Sequence, residues 1–192
     1  MAMARLPFIA PSRKGDTWFF AGLTSGFPDF TESGAHVLHE PRLCGNGESV
    51  PGCKVFQVPS GDSSQAQQIE EDAMTSLNGD ALQDQVLVFR YKGKFHAVDN
   101  KCPHSAFPLA KGTPFDIEDF GVVLSSGITC PKHGWSFDLF TGQSDRNNYT
   151  LRRWEVQLLP VGDPKTEAGG DSGHKDNEDP QEVWIRRKQR MG

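Results

Sequence analysis

Two short stretches of this 192-residue chain bring cysteine and histidine together. The first is Cys102-Pro103-His104; after 25 further residues comes Cys130-Pro131-Lys132-His133. Each offers one thiolate sulfur and one imidazole nitrogen from a tight turn containing proline. Two sulfurs and two nitrogens suit three kinds of centre: a structural zinc, a mononuclear iron, or a two-iron cluster with the cysteines on one iron and the histidines on the other.

Spacing bears on the choice. A zinc finger pairs like donors, two cysteines and then two histidines, often with the second pair on a helix. Here each turn is mixed, and the flanking residues read as strand and loop. A mixed turn suits a dinuclear cluster, because each loop can reach both metals and the two loops clasp it from opposite sides.

These residues resemble the ligand loops of the Rieske 2Fe–2S family. The resemblance is carried by Cys102-Pro103-His104-Ser105-Ala106-Phe107-Pro108-Leu109, by Cys130-Pro131-Lys132-His133-Gly134-Trp135-Ser136-Phe137-Asp138, and by Thr141-Gly142. More weakly it runs over residues 18–159. It implies an all-β fold, a Rieske-type antiparallel β-sandwich with a small cluster-binding subdomain formed by two ligand loops. It implies one 2Fe–2S cluster per chain on Cys102, His104, Cys130 and His133. The expected layout is a single domain over residues 1–192, with the cluster-binding subdomain at 95–142.

Charge accounting explains what such ligation does. Two ferric ions, two sulfides and two thiolates sum to zero beside neutral imidazoles, so reduction leaves one negative charge. An all-cysteine cluster would accumulate more, which is why histidine ligation raises the potential. The high-potential members of the family carry a disulfide between the loops and hydroxyl donors near the sulfurs. The matching positions here are Phe107 and Lys132, then Trp135 and Phe137, which can supply neither. The resemblance therefore points to the lower part of the Rieske range and to the ferredoxin and oxygenase branch. It implies a one-electron carrier between a flavin-containing reductase and an acceptor protein such as an oxygenase. The alternative is an iron–sulfur redox sensor, or a non-catalytic regulatory subunit using the domain for protein contact. A self-contained oxygenase would need a second iron site of two histidines and a carboxylate. After His133 the chain has only His174.

The elements that must position these residues read mostly as short strands. Apolar runs at 18–23, 54–58 and 183–186 are strand-like. Residues 85–91 and 95–99 flank Lys92-Gly93-Lys94 as a hairpin that leads directly to Cys102. His96, inside that hairpin, reads as a hydrogen-bonded structural histidine. Residues 121–124 and 127–129 lead into Cys130. The acidic, aromatic stretch 114–120 before them reads as an insertion. Residues 149–159 look like a strand in which Trp154, Val156 and Leu158 alternate. Between Ser60 and Asp84 the chain is polar, with Ile69, Ala73, Met74 and Leu77 at the spacing of a short amphipathic helix.

Bulk properties add limits. Mean hydropathy is −0.53, low for a compact domain, so part of the chain should be solvated loop. Residues 161–182 are the candidate flexible loop. Residues 163–182 carry seven acids against Lys165 and Lys175, which equals the formal charge of −5 for the whole chain. No apolar run approaches membrane-spanning length, and no Gly-rich phosphate fingerprint or basic stripe indicates nucleic acid. An iron–sulfur protein implies a reducing compartment, cytoplasm or mitochondrial matrix, where Cys44 and Cys53 would stay as thiols. His36 and His39 beside Glu40 are a weak second metal candidate. The acids Asp116, Glu118 and Asp119, with Phe115 and Phe120, are expected beside the cluster face as a docking surface for a basic partner.

Overall fold

The structure is a computed structural model and describes residues 17–43, 47–70, 79–161 and 180–188. Thirteen strands occur among them, joined by short 3-10 turns: β1 (Phe19–Leu23), β2 (Asp29–Phe30), β3 (Pro41–Leu43), β4 (Ser49–Pro51), β5 (Cys53–Gln57), β6 (Gln67–Ile69), β7 (Gln85–Tyr91), β8 (Lys94–Asp99), β9 (Thr113–Asp119), β10 (Val122–Cys130), β11 (Trp135–Asp138), β12 (Trp154–Pro160) and β13 (Gln181–Arg187). No helix of the described residues is long and apolar enough to cross a membrane.

β7 is the centre of the fold. Its sequence Gln85-Val86-Leu87-Val88-Phe89-Arg90-Tyr91 is nearly continuously apolar, as expected of a strand covered on both faces. All but Arg90 are buried. β5 pairs with it antiparallel along one edge, β2 adds two parallel pairs beyond the end of β5, and β8 takes the other edge. The β7–β8 turn is Lys92-Gly93, with φ of 47° and 76°. Positive φ at both central residues is the type I′ geometry that matches strand twist.

Each face of this central sheet buries a separate core. Val86, Val88 and Phe56 meet Phe19, Ala21, Trp154, Val183 and Ile185 from the β1–β13–β12 sheet. Those two sheets form the sandwich. Leu87, Phe89 and Tyr91 face the other way, onto Leu109, Ile128, Phe137 and Leu139 around the β9–β10–β11 sheet. The lobe that bears the ligand loops is thus held by a full hydrophobic interface. Residues 95–99 pair with β7 in the central sheet.

Four segments differ in form from the sequence expectation. Residues 114–119, expected only as inserted sequence, are ordered in β9, which pairs with β10 from Thr113 through Asp119. Residues 149–153 precede β12 rather than belonging to it, and β13 starts at Gln181, inside the stretch expected to be loop. Ile69 lies in a strand paired to β5, whereas Ala73, Met74 and Leu77 fall outside the described residues, as do residues 162–179.

His96 is buried in β8 between Phe89 and Phe140, with ring centroids 5.5 and 5.4 Å away. Its Nε2 has no hydrogen-bond partner among the described residues, so it is structural without the expected bond at that nitrogen. Burial, reinforced by Lys94, lowers its pKa to about 4. The unfolded chain therefore binds this proton more readily than the folded one, and stability should fall as pH drops from about 6.5 to about 4. A shift of this size corresponds to roughly 3 kcal/mol at the acid end of that window. The unfolding free energy of wild type relative to His96→Phe should decline by a large part of that amount between about pH 7 and about pH 4.5. An unchanging difference would contradict the burial of a neutral imidazole.

Candidate metal centre

The two ligand loops are built alike from unlike sequences. The Ala106 N–H donates to the Cys102 carbonyl at 2.9 Å, and the Gly134 N–H donates to the Cys130 carbonyl at 3.0 Å. Each bond closes a five-residue turn that begins on a cysteine. Each turn ends in the left-handed region, with φ of 49° at Ala106 and 68° at Gly134. Glycine takes that conformation freely; an alanine there costs roughly 1–2 kcal/mol. Proline follows the cysteine in both turns and fixes φ.

Strands anchor both loops. The second is the connection of the β10–β11 hairpin, in which Cys130 pairs with Trp135. The first leaves β8 through Asn100, which is fully buried and fully engaged. Its side-chain amide donates to Gln85 Oε1 at 3.0 Å, while its Oδ1 accepts the Ala110 N–H at 2.9 Å. Its carbonyl accepts the Leu109 N–H at 2.7 Å. One side chain thus ties both ends of the first loop to β7. The sequence offers only an Asn beside Asp99 as a signal for this.

The predicted donors meet in two like pairs, cysteine with cysteine and histidine with histidine. Cys102 and Cys130 are each 1% exposed and hydrogen-bond one another, so the pair competes for a proton. That bond pulls the Cys102 thiol down, and the same bond together with burial pushes Cys130 up. The His104 and His133 rings lie 5.2 Å apart at 70°. His104 is half-buried and His133 is exposed. Trp135 stacks on His104 at 3.9 Å and 11°, and Tyr149 meets the edges of both rings. His104 Nδ1 is buried and has no hydrogen-bond partner among the described residues. An orphaned imidazole nitrogen beside a second imidazole, together with two sulfurs paired with one another, fits a cluster that takes sulfur on one metal and nitrogen on the other.

Side chains around these donors were only partly foreseen. Ser105 Oγ lies 3.6 Å from Cys130 Sγ, which puts a hydroxyl within reach of a sulfur from a position other than the two hydroxyl positions of the high-potential proteins. Ser105→Ala should lower the reduction potential by roughly 20–60 mV, the equivalent of one modest hydrogen bond for one electron. Protein-film voltammetry of the two proteins checks this; equal potentials would mean that Ser105 gives nothing to the sulfur. Where the high-potential proteins have a disulfide, Lys132 Nζ sits 5.9 Å from the Phe107 ring centroid, and Lys111 lies 5.6 Å from the same ring. The loops are joined there by a cation–π contact instead. Arg146 donates to the Gly134 carbonyl at 3.1 Å and lies over Trp135, held by Asp145 at 2.7 Å.

Other sequence candidates are not brought to this site. Asp116 accepts a hydrogen bond from Tyr91 Oη at 2.9 Å and pairs with Lys92, leaving its side chain 4% exposed. Burial and that carboxylate push the Tyr91 phenol up to about 12. Glu118, Asp119 and Phe120 lie at the far end of the β9–β10 hairpin. Eight strand steps along β10 separate that tip from Cys130, roughly 26 Å. The expected acidic docking face beside the histidines is therefore corrected: one acid is used internally and the others point away from the site. His36 pairs with Glu32 at 3.3 Å, and no group of three His, Cys, Asp or Glu among the described residues is placed to hold a single metal ion. Cys53 is buried in β5, and Cys44 lies outside the described residues.

Fold and site together define a small all-β protein whose cysteine- and histidine-bearing loops sit at the end of one lobe. The profile of the Rieske [2Fe-2S] domain matches residues 51–155. The chain belongs to the Rieske family and binds a 2Fe–2S cluster, one per chain. Apoptosis-inducing factor 3 of Homo sapiens is 43% identical over 58 residues, which are 30% of this chain and 8% of that protein. A Rieske domain-containing protein of Homo sapiens is 42% identical over 59 residues, 31% of this chain and 34% of the relative. The ferredoxin component of the alkene monooxygenase system of Xanthobacter autotrophicus is 33% identical over 64 residues, 33% of this chain and 46% of the relative. The chain thus spans less than half the length of each of these relatives.

Proposed function

We propose that this chain is a Rieske-type ferredoxin, a carrier of single electrons from a flavin-containing reductase to an acceptor protein such as an oxygenase. Cys102 and Cys130 hold one iron of the cluster, and His104 and His133 hold the other. The observation that supports this best is the gradient of burial across the donors: the cysteine pair is enclosed, while the imidazole pair reaches the surface. When bound, the cluster supplies reversible one-electron chemistry at a potential raised by its imidazole ligands. The chain's own residues do the rest. The paired turns fix the donors, Asn100 holds the first loop to β7, and Trp135 fixes the ring plane of His104. The imidazole side of the site, where His104 is half-buried and His133 exposed, is where a partner approaches the cluster. The alkene monooxygenase relative, a ferredoxin component, supports the same reading.

Catalytic shuttling tests it. A sub-stoichiometric amount of cluster-loaded protein should sustain many cycles of electron flow from a flavoprotein reductase to cytochrome c. A protein that takes up an electron but passes none on would instead be a sensor, and the carrier reading would fall.

A further inference from the structure

Beside the first ligand loop lies a groove of about 920 Å³. Cys102 and His104 line one side of it. Lys101, Arg152, Arg153, Arg187 and Lys188 supply its cations, and Asp99 is its one acid. These residues come from three separate parts of the chain: the loop itself, the segment before β12 and the end of β13.

The charges are unevenly spent. Arg187 donates to the Val58 carbonyl at 2.7 Å and pairs with Asp84 at 3.2 Å. Lys101 lies 3.8 Å from Asp80. Asp99 accepts a hydrogen bond from Trp154 Nε1 at 2.8 Å and is flanked by Arg152 and Arg187. Setting Asp84, Asp80 and Asp99 against the five cations leaves a balance of two positive charges in the groove. The whole chain carries −5. The formal charge balance next to the cluster loop is thus opposite in sign to the net charge of the protein.

Resting on the carrier reading above, we infer that this groove is the docking surface for a carboxylate-rich face of the protein that exchanges electrons with the cluster. Charge complementarity of this kind steers encounter and fixes orientation. Docked acids along Arg152 and Lys188 place the partner beside His104. Pro103 and Ala106, both partly exposed, supply an apolar edge for the contact to close on.

Arg152 and Lys188 are exposed, so the double variant Arg152→Gln/Lys188→Gln leaves the cores intact. The first readout is oxidation of the reduced, cluster-loaded full chain by small reagents. One electron passes to anionic hexacyanoferrate(III), giving hexacyanoferrate(II), or to cationic tris(phenanthroline)cobalt(III), giving cobalt(II). The anionic reagent should react faster at low salt, slow as salt rises, and slow several-fold in the variant; the cationic reagent should do the reverse. The second readout is fluorescence anisotropy of a labelled hexaglutamate peptide with the oxidised protein. Its affinity should weaken about tenfold in the variant.

A hexacyanoferrate rate that rises with salt would show net charge governing the encounter and would overturn the docking surface. So would peptide binding indifferent to the two substitutions, or tripolyphosphate held more tightly than the peptide at the same residues. The two readings fail separately. Intact reductase-to-cytochrome shuttling with a salt-indifferent rate removes the groove alone. Lost shuttling with intact peptide binding removes the carrier, and with it the partner named here.

Discussion

Cys130→Ala protein prepared anaerobically should contain no acid-labile sulfide and no visible cluster absorption. Cys130 is 1% exposed at the end of β10, and its sulfur bonds that of Cys102. Removing it leaves one metal with a single protein sulfur, and no other cysteine of the described residues lies in either loop. Cys102→Ala should behave the same way, as should His104→Ala and His133→Ala, because each imidazole has only the other as its pair. The sandwich core of Phe19, Trp154 and Ile185 is built from other strands, so far-UV circular dichroism should stay β-rich while the cluster is lost. Labile sulfide retained in the cysteine variants would mean that the donors lie elsewhere.

Asn100→Ala should have the next largest effect. The truncation strands Gln85 Oε1 and the Ala110 N–H, both of which lose a buried partner. Leaving buried polar groups unsatisfied costs about 1–3 kcal/mol for each group, so a loss of roughly 2–5 kcal/mol follows. Because Asn100 also receives the Leu109 N–H, loosening it frees the loop that carries Cys102 and His104. Urea unfolding should shift to lower midpoint, and cluster loss to a chelator should speed up well before global unfolding. Wild-type kinetics of cluster loss in Asn100→Ala would mean that β8 alone holds the loop.

The sequence made the donors and their strands legible for physical reasons that are easy to name. Mixed Cys/His turns are rare, and a positive-φ Lys92-Gly93 turn between two β-rich runs reads as a hairpin at once. The continuous apolar run of β7 signals coverage on both faces, which the two cores confirm. Tertiary context hid the rest. Residues 114–120 read as an insertion from the long gap between the loops, a reading that leaves aside the alternation of acids with apolar residues there. That alternation is the signature of an edge strand, with Pro114 buried and Asp116 satisfied by Tyr91 from the neighbouring sheet. Val122, Val123 and Leu124 read as strand and are strand, but they lie exposed on the outer half of the hairpin. Asn100 and Ser105 are ordinary loop residues until the fold places one across from Gln85 and the other against a sulfur. The basic groove has no sequence signal at all, since its cations are up to 87 positions apart.

The central claim is a single cluster with its cysteines on one iron and its histidines on the other. Pulsed electron paramagnetic resonance of the dithionite-reduced protein tests it most directly. His104 and His133 as ligands predict strong hyperfine couplings from two imidazole nitrogens, and His133→Ala should not reproduce that spectrum. A reduced cluster without nitrogen couplings, or a protein holding zinc and no labile sulfide, would contradict the account.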